Sequence, residues 1–187
     1  MRNSSLLLAL AVALLLSACG SSDGGGGGGG GPKTDTETFE AEGIGITFEY
    51  PPEMEQASDL TVDQSVGAQA KAEGGVGYDT RNVIFVQRFD LERSIGKEEL
   101  GAIKPQVDSL FEQGTGKPGD GEETEIGGLP ALEYESAPTK GRPGEQARLL
   151  VLFDGDTEYT INCQSDEERR EDIEEACDTV VETLEKN

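Results

Sequence analysis

Histidine and tryptophan are both absent from the 187 residues, and aromatic residues of any kind make up 5%. Without an imidazole there is no Ser-His or Cys-His pair to activate a nucleophile, and no imidazole metal ligand. A zinc site would fall to carboxylates alone, which is an uncommon arrangement. Cations are scarce too, with 15 Lys and Arg against 38 Asp and Glu for a net charge of −23. So negative a field repels phosphate backbones, and the densest basic pair, Arg169-Arg170, is embedded among acids. Nucleic acid is therefore excluded as a partner. A long hydrophobic run is lacking as well: the one apolar stretch, residues 6–16, has 11 residues where a bilayer core needs about 20.

That stretch has a different use. Arg2 precedes it, and it closes on Leu16-Ser17-Ala18-Cys19. The pattern resembles the lipobox of bacterial lipoprotein signal peptides: an aliphatic residue, two small residues for the signal peptidase, and a Cys whose thiol accepts diacylglycerol. Residues 1–18 are expected to be the signal peptide and Cys19 the lipid attachment site. Two or three acyl chains on one cysteine, at about 0.8 kcal/mol per buried CH2, make a stable anchor. Cleavage removes one cation and no acid, leaving 14 basic and 38 acidic residues, a net −24.

Residues 19–37 are small and polar and contain an unbroken glycine run from Gly24 to Gly31. No predicted strand precedes the run and no helix follows, so it is not a phosphate cradle. It reads as a flexible tether with a root-mean-square span of about 24 Å. Residues 38–187 then form one domain of a size that buries roughly 68–70% of its unfolded surface.

Within that domain Ile44, Ile46, Phe48 and Tyr50 alternate with polar or small residues, the period of a half-buried strand, and Pro51-Pro52 ends it. The segment 53–69 is irregular, or a strand carrying Leu60 and Val62. Val83, Ile84, Phe85 and Val86 mark a central strand. Leu100, Ile103, Val107, Leu110 and Phe111 recur at helical spacing over 97–113; Pro105 either kinks this helix or starts a second one, and Gly114-Thr115-Gly116 ends it. Two hairpins follow, one turning at Gly127-Gly128 and one at Asp154-Gly155-Asp156. A capping box at Ser165 and Glu168 opens a terminal amphipathic helix whose apolar face is Ile173, Ala176, Cys177, Val180, Val181 and Leu184. Hairpin strands with two segregated helices make an α+β domain with a mostly antiparallel sheet flanked by helices.

With Cys19 taken by the lipid, Cys163 and Cys177 remain. Export places them in an oxidising compartment, and a bridge would close a loop of about 15 residues, contributing about 3 kcal/mol through the unfolded chain. A disulfide is expected; two buried thiols are the alternative. Other motifs fail on inspection. Asp154-Gly155-Asp156-Thr157-Glu158 opens like a calcium loop, but Tyr159 and Ser165 occupy the positions that need Gly and Glu. Gly114-Thr115-Gly116-Lys117 ends like a P-loop, yet Phe111 and Pro118 stand where Gly and Ser/Thr belong. No catalytic residue and no metal site are predicted.

The stretches Gly45-Ile46-Thr47-Phe48-Glu49-Tyr50-Pro51 and Ile126-Gly127-Gly128-Leu129-Pro130-Ala131, followed by two strands and a terminal helix, resemble the PsbP-like superfamily and its bacterial lipoprotein branch, the LpqN-type lipoproteins. The resemblance implies an α/β/α sandwich acting as an adaptor or binding protein, with no catalytic residues to carry over. One departure is that the family often has Trp shortly after the aromatic-Pro pair, where this chain has Glu53-Met54. The expectation is a non-catalytic binding or adaptor module on the extracytoplasmic face of the cell membrane. Its lipid holds the membrane, its partner is an unknown envelope protein or ligand, and it needs no cofactor. The rival is a cell-envelope enzyme working with carboxylates, in one version with calcium. On the same footing, the acidity is either for solubility or for capture of a cationic partner or Ca2+.

Overall fold

The computed structural model describes residues 35–57 and 71–187. The signal peptide, Cys19, the tether up to residue 34 and the possible strand at Leu60 and Val62 lie outside the described residues; of the expected tether, residues 35–37 are described and Glu37 opens the first strand. A compact unit spans Thr34–Asn187.

Strands β1 (Glu37–Phe39) and β2 (Ile46–Tyr50) pair with a two-residue terminal strand, β9 (Glu185–Lys186), in a small antiparallel sheet. The larger sheet contains β3 (Glu55–Ala57), β4 (Ala72–Gly77), β5 (Val83–Ile95), β6 (Glu122–Ile126), β7 (Leu129–Pro138) and β8 (Gln146–Ser165), in the order β3-β4-β5-β8-β7-β6. Every pairing in it is antiparallel. The sequence-predicted central strand is β5, and the Gly127-Gly128 hairpin joins β6 to β7 with both glycines at positive φ, 58° and 76°.

Straight, the 20 residues of β8 would reach about 66 Å at ~3.3 Å each. Yet Arg142, just before its start, donates from Nη1 to Gln164 Oε1 near its end at 3.4 Å. The run therefore doubles back, and Gly155, at φ 62°, sits at the bend. Residues 146–152 pair with β7, and residues 155–164 pair with β5. The fold-back also explains the change of parity: Leu150 and Leu152, then Tyr159, Ile161 and Cys163, all enter one core. Asp154 at the tip is an ion-pair partner of Lys186, with Nζ 2.7 Å from Oδ2. The run that opens like a calcium loop is thus a hairpin tip.

Helix α1 (Leu100–Thr115), preceded by a 3-10 turn at Lys97–Glu99, continues through Pro105 and ends at Gly116, whose φ is 74° and whose N–H reaches Glu112 O at 2.7 Å. Its Leu100, Ile103 and Phe111 pack with Leu132, Tyr134, Val151 and Phe153 in one core. Helix α2 (Arg170–Thr183) buries Ile173, Ala176, Cys177 and Val180 in the other, with Ala131, Leu150, Ile161 and the small sheet's Phe39 and Phe48. Because Ala131 and Leu132, or Leu150 and Val151, are neighbours on one strand yet belong to different cores, the two cores lie on opposite faces of the sheet. The domain is an α+β fold with a mostly antiparallel sheet and a helix on each side.

Two local expectations are corrected. Ser165 does not cap α2: it ends β8, buried at 2% exposure, and the helix begins at Arg170. Ladder pairing of β8 with β5 holds that end of the strand extended. Asp166 takes over the turn, its Oδ1 accepting the N–H groups of Glu168 and Arg169 at 3.1 and 3.3 Å. Leu184 leaves the helix in extended conformation, at ψ 127°, to lead into β9.

Candidate functional site

Of the residues singled out in the sequence, Cys163 and Cys177 are brought together. One is near the end of β8 and the other is on the inner face of α2, and their sulfurs are bonded with the Cα atoms 6.1 Å apart. Both are buried in the core beneath α2. The disulfide fastens the terminal helix to the sheet. Cys19 lies outside the described residues.

A groove of about 610 Å3 opens where β7 outruns β6. β6 begins at Glu122, opposite Glu133, whereas β7 continues to Pro138. Among the described residues no strand pairs with that outer edge of β7 beyond Glu133. Phe111, Pro118, Ala137 and Pro138 give the groove apolar wall, and Asp120, Glu122, Glu133 and Glu135 give it carboxylates; Lys117 is the one cation lining it. Asp120 is shared with Lys104 and Glu133 with Arg148, while Glu122 and Glu135 have no ion pair among the described residues.

Tyr134 forms the floor. It is 1% exposed, stacks on Phe111 with ring centroids 4.7 Å apart, and donates its hydroxyl to Asp108 Oδ1 at 2.8 Å. Asp108 also accepts the Gly121 N–H at 3.1 Å and the Lys104 ammonium at 3.0 Å. Burial alone would push the Asp108 carboxyl up, but these three donors hold it below its usual range. Burial first, and then the bond to Asp108, push the Tyr134 phenol well up. At neutral pH the pair is therefore a carboxylate and a phenol, which fixes the groove floor and does not trade a proton. Glycine is required at 121, since a Cβ there would stand 2.5 Å from Tyr134 Cζ.

A second hollow, of about 580 Å3, lies between the residues 40–45 turn and the chain end, with Arg88 and Asn187 in its wall. Arg88 donates from Nη1 to Gly43 O at 2.9 Å, and Asn187 N–H reaches Gly45 O at 3.1 Å. The first bond ties the 40–45 turn to β5, and the second extends the pairing of β2 with β9.

Among the described residues, three carboxyls depart from their usual range. Asp79, raised by burial but lowered further by donors from Asn82 and Arg81, organises the β4-to-β5 turn. Asp108 belongs to the groove floor. Glu158 on β8 is pushed up by burial, against a weak opposing donation from Thr160 at 3.3 Å. No hydrogen bond joins any two of the three. Among the described residues, no three Cys, Asp or Glu converge in a metal-ligand cluster, and no helix is long and apolar enough to cross a membrane.

No protein-family profile matches the chain, and neither does any curated protein. Among solved structures, the solution structure of cyanobacterial PsbP (CyanoP) from Synechocystis sp. PCC 6803 is 15% identical, with a TM-score of 0.50 over 87% of this chain and 98% of that one. The fold is PsbP-like. A crystal structure from Bacteroides thetaiotaomicron VPI-5482 aligns at 12% identity and a TM-score of 0.48, over 80% of this chain; the chain spans about half of that protein, 48% of its length. Within the PsbP-like fold, the groove at the end of β7 is the feature that sequence reasoning missed. Its one trace in the sequence is the unequal length of the two hairpin arms around Gly127-Gly128.

Proposed function

We propose that this chain is an exported lipoprotein of the LpqN type, acylated at Cys19 and working on the extracytoplasmic face of the cell membrane as a non-catalytic binding or adaptor module. The observation that carries the reading is the order Leu16-Ser17-Ala18-Cys19, a glycine run, and then a compact unit from Thr34 onward. Read from composition, that order gives a processing site, an anchor and a glycine-rich spacer with a coil span of about 24 Å. Binding is favoured over catalysis because the shifted carboxyls Asp79, Asp108 and Glu158 each serve a separate hydrogen-bond set, whereas acid–base chemistry needs two that converge on one substrate. The test is in-cell cross-linking of the wild type beside a Cys19→Ala variant. The wild type should fractionate with membranes and give discrete envelope adducts, while the variant should leave the membrane fraction. Wild type that stays soluble, or that yields no adduct, would contradict the reading.

A further inference from the structure

The chain that leads from Cys19 enters the fold directly through an edge strand. β1 begins at Glu37, two residues after the described chain starts, and among the described residues it pairs with β2 alone. The two strands are arms of one antiparallel hairpin, with Glu37 opposite Tyr50 at the open end and Phe39 opposite Phe48 nearer the turn. A pull on the N-terminal arm of a hairpin loads its bonds one after another from the open end, not all together. The first of them are near the surface: Thr36 donates its hydroxyl to Glu49 Oε2 at 2.7 Å, and Tyr50 donates to Glu37 Oε2 at 3.0 Å. Phe39 is the one deep hold in β1. It is fully buried, stacks on Phe48 with ring centroids 4.6 Å apart, and sits over Gly74 of β4, where a Cβ would stand 3.1 Å from Phe39 Cζ. Just past the strand the chain is fastened again, because Arg88 Nη1 donates to Gly43 O at 2.9 Å and Ile44 is fully buried.

We propose that β1 is a pull-released latch: tension from Cys19 strips residues 35–42 from the domain, draws Phe39 from its seat over Gly74 and stops at Gly43, with the remainder folded. The proposal rests on the anchored-lipoprotein reading, since an anchored module is loaded at this end whenever its partner is displaced. Chain ends open locally at lower free energy than a core does, and here one buried side chain decides how much lower. Beyond the latch, the core beneath α2 keeps its own fastening in the Cys163–Cys177 bond. Opening bares the outer edge of β2 and the side chains of Phe48 and Tyr50, both buried while β1 is in place. The exposed edge then distinguishes a loaded module from a slack one.

The experiment holds the mature chain, residues 19–187, in magnetic tweezers by a handle on the Cys19 sulfur, in place of the lipid, and a second on a tag after Asn187. With Cys163 bonded to Cys177, Cys19 is the free thiol among the three cysteines. A reversible opening should precede unfolding and lengthen the chain by about 26–29 Å, eight residues at ~3.3–3.6 Å each. Moving the handle past the latch, with Cys19→Ala and Glu42→Cys together, should abolish that step and leave unfolding in place. Phe39→Ala should raise the open fraction at a fixed force by about tenfold or more. Unfolding in a single step from the Cys19 handle, the same step from both handles, or no response to Phe39→Ala would overturn the proposal. A Cys19 found unacylated in cells would instead sink the anchored reading and leave the step in the tweezers unchanged.

Discussion

Asp108 shows how one side chain can hold three elements. It sits on α1, and it accepts bonds from the Gly121 backbone, Lys104 and Tyr134 of β7. Tyr134→Phe removes one donor and leaves a half-buried carboxylate short of a partner, so denaturant unfolding should show a loss of about 1–2 kcal/mol. The acid limb of stability follows the same group. Its folded pKa lies below the unfolded one, so its contribution is complete above the unfolded value of ~3.9 and fades as pH falls through the folded value. Glu158 has the opposite sign. Its folded pKa is raised by burial, so its favourable contribution exists at low pH and is lost as pH rises through that value. Glu158→Gln should therefore gain on the wild type in urea melts as pH rises above the ordinary glutamate range. A wild type that keeps pace as pH rises would contradict the assignment.

At the scale of elements, the last 25 residues are held at two points. The Cys163–Cys177 bridge ties the middle of α2 to β8. Reduction, or paired Cys→Ala replacement, should cost about 3 kcal/mol and lower Tm by about 6–12 °C in a thermal melt. Farther on, Leu184 packs against the Gly127 turn, where a Cβ at 127 would stand 2.5 Å from Leu184 Cδ2, and β9 adds to β2. Ending the chain after Thr183 should cost about 2–4 kcal/mol by emptying the Leu184 site. Periodicity made much of this legible: the alternation in β2 and β8, the spacing of α1 and α2, and the glycine turns all stand where the residues put them. What escaped was set by partners distant in the chain. Ser165 reads as a cap because Glu168 follows it, but β8, paired with β5 up to Gln164, runs through it first. β9 is two polar residues that become a strand only because β2 offers an edge. β4, Ala-Glu-Gly-Gly-Val-Gly, lacks any strand composition, and β5 beside it enforces the extension. The groove left only the unequal hairpin arms as a trace, since it exists where one arm of a hairpin stops before the other.

Across the whole molecule, the sequence divides the work between an address and a folded unit. On the proposed processing the chain carries a net charge of −24, which would disfavour anionic surfaces, so the proposal assigns membrane retention to the lipid and not to electrostatic attraction. In the proposed arrangement a glycine-rich spacer with a coil span of about 24 Å would confine the module near the envelope and raise its effective concentration toward partners there. All of this turns on the chemistry of one thiol. Intact-mass spectrometry of the protein extracted from its membrane measures that chemistry directly. The account predicts a chain that starts at Cys19 and carries the added mass of a diacylglyceryl group, with residues 1–18 gone; a chain that still starts at Met1, or one whose Cys19 thiol is free, would contradict it.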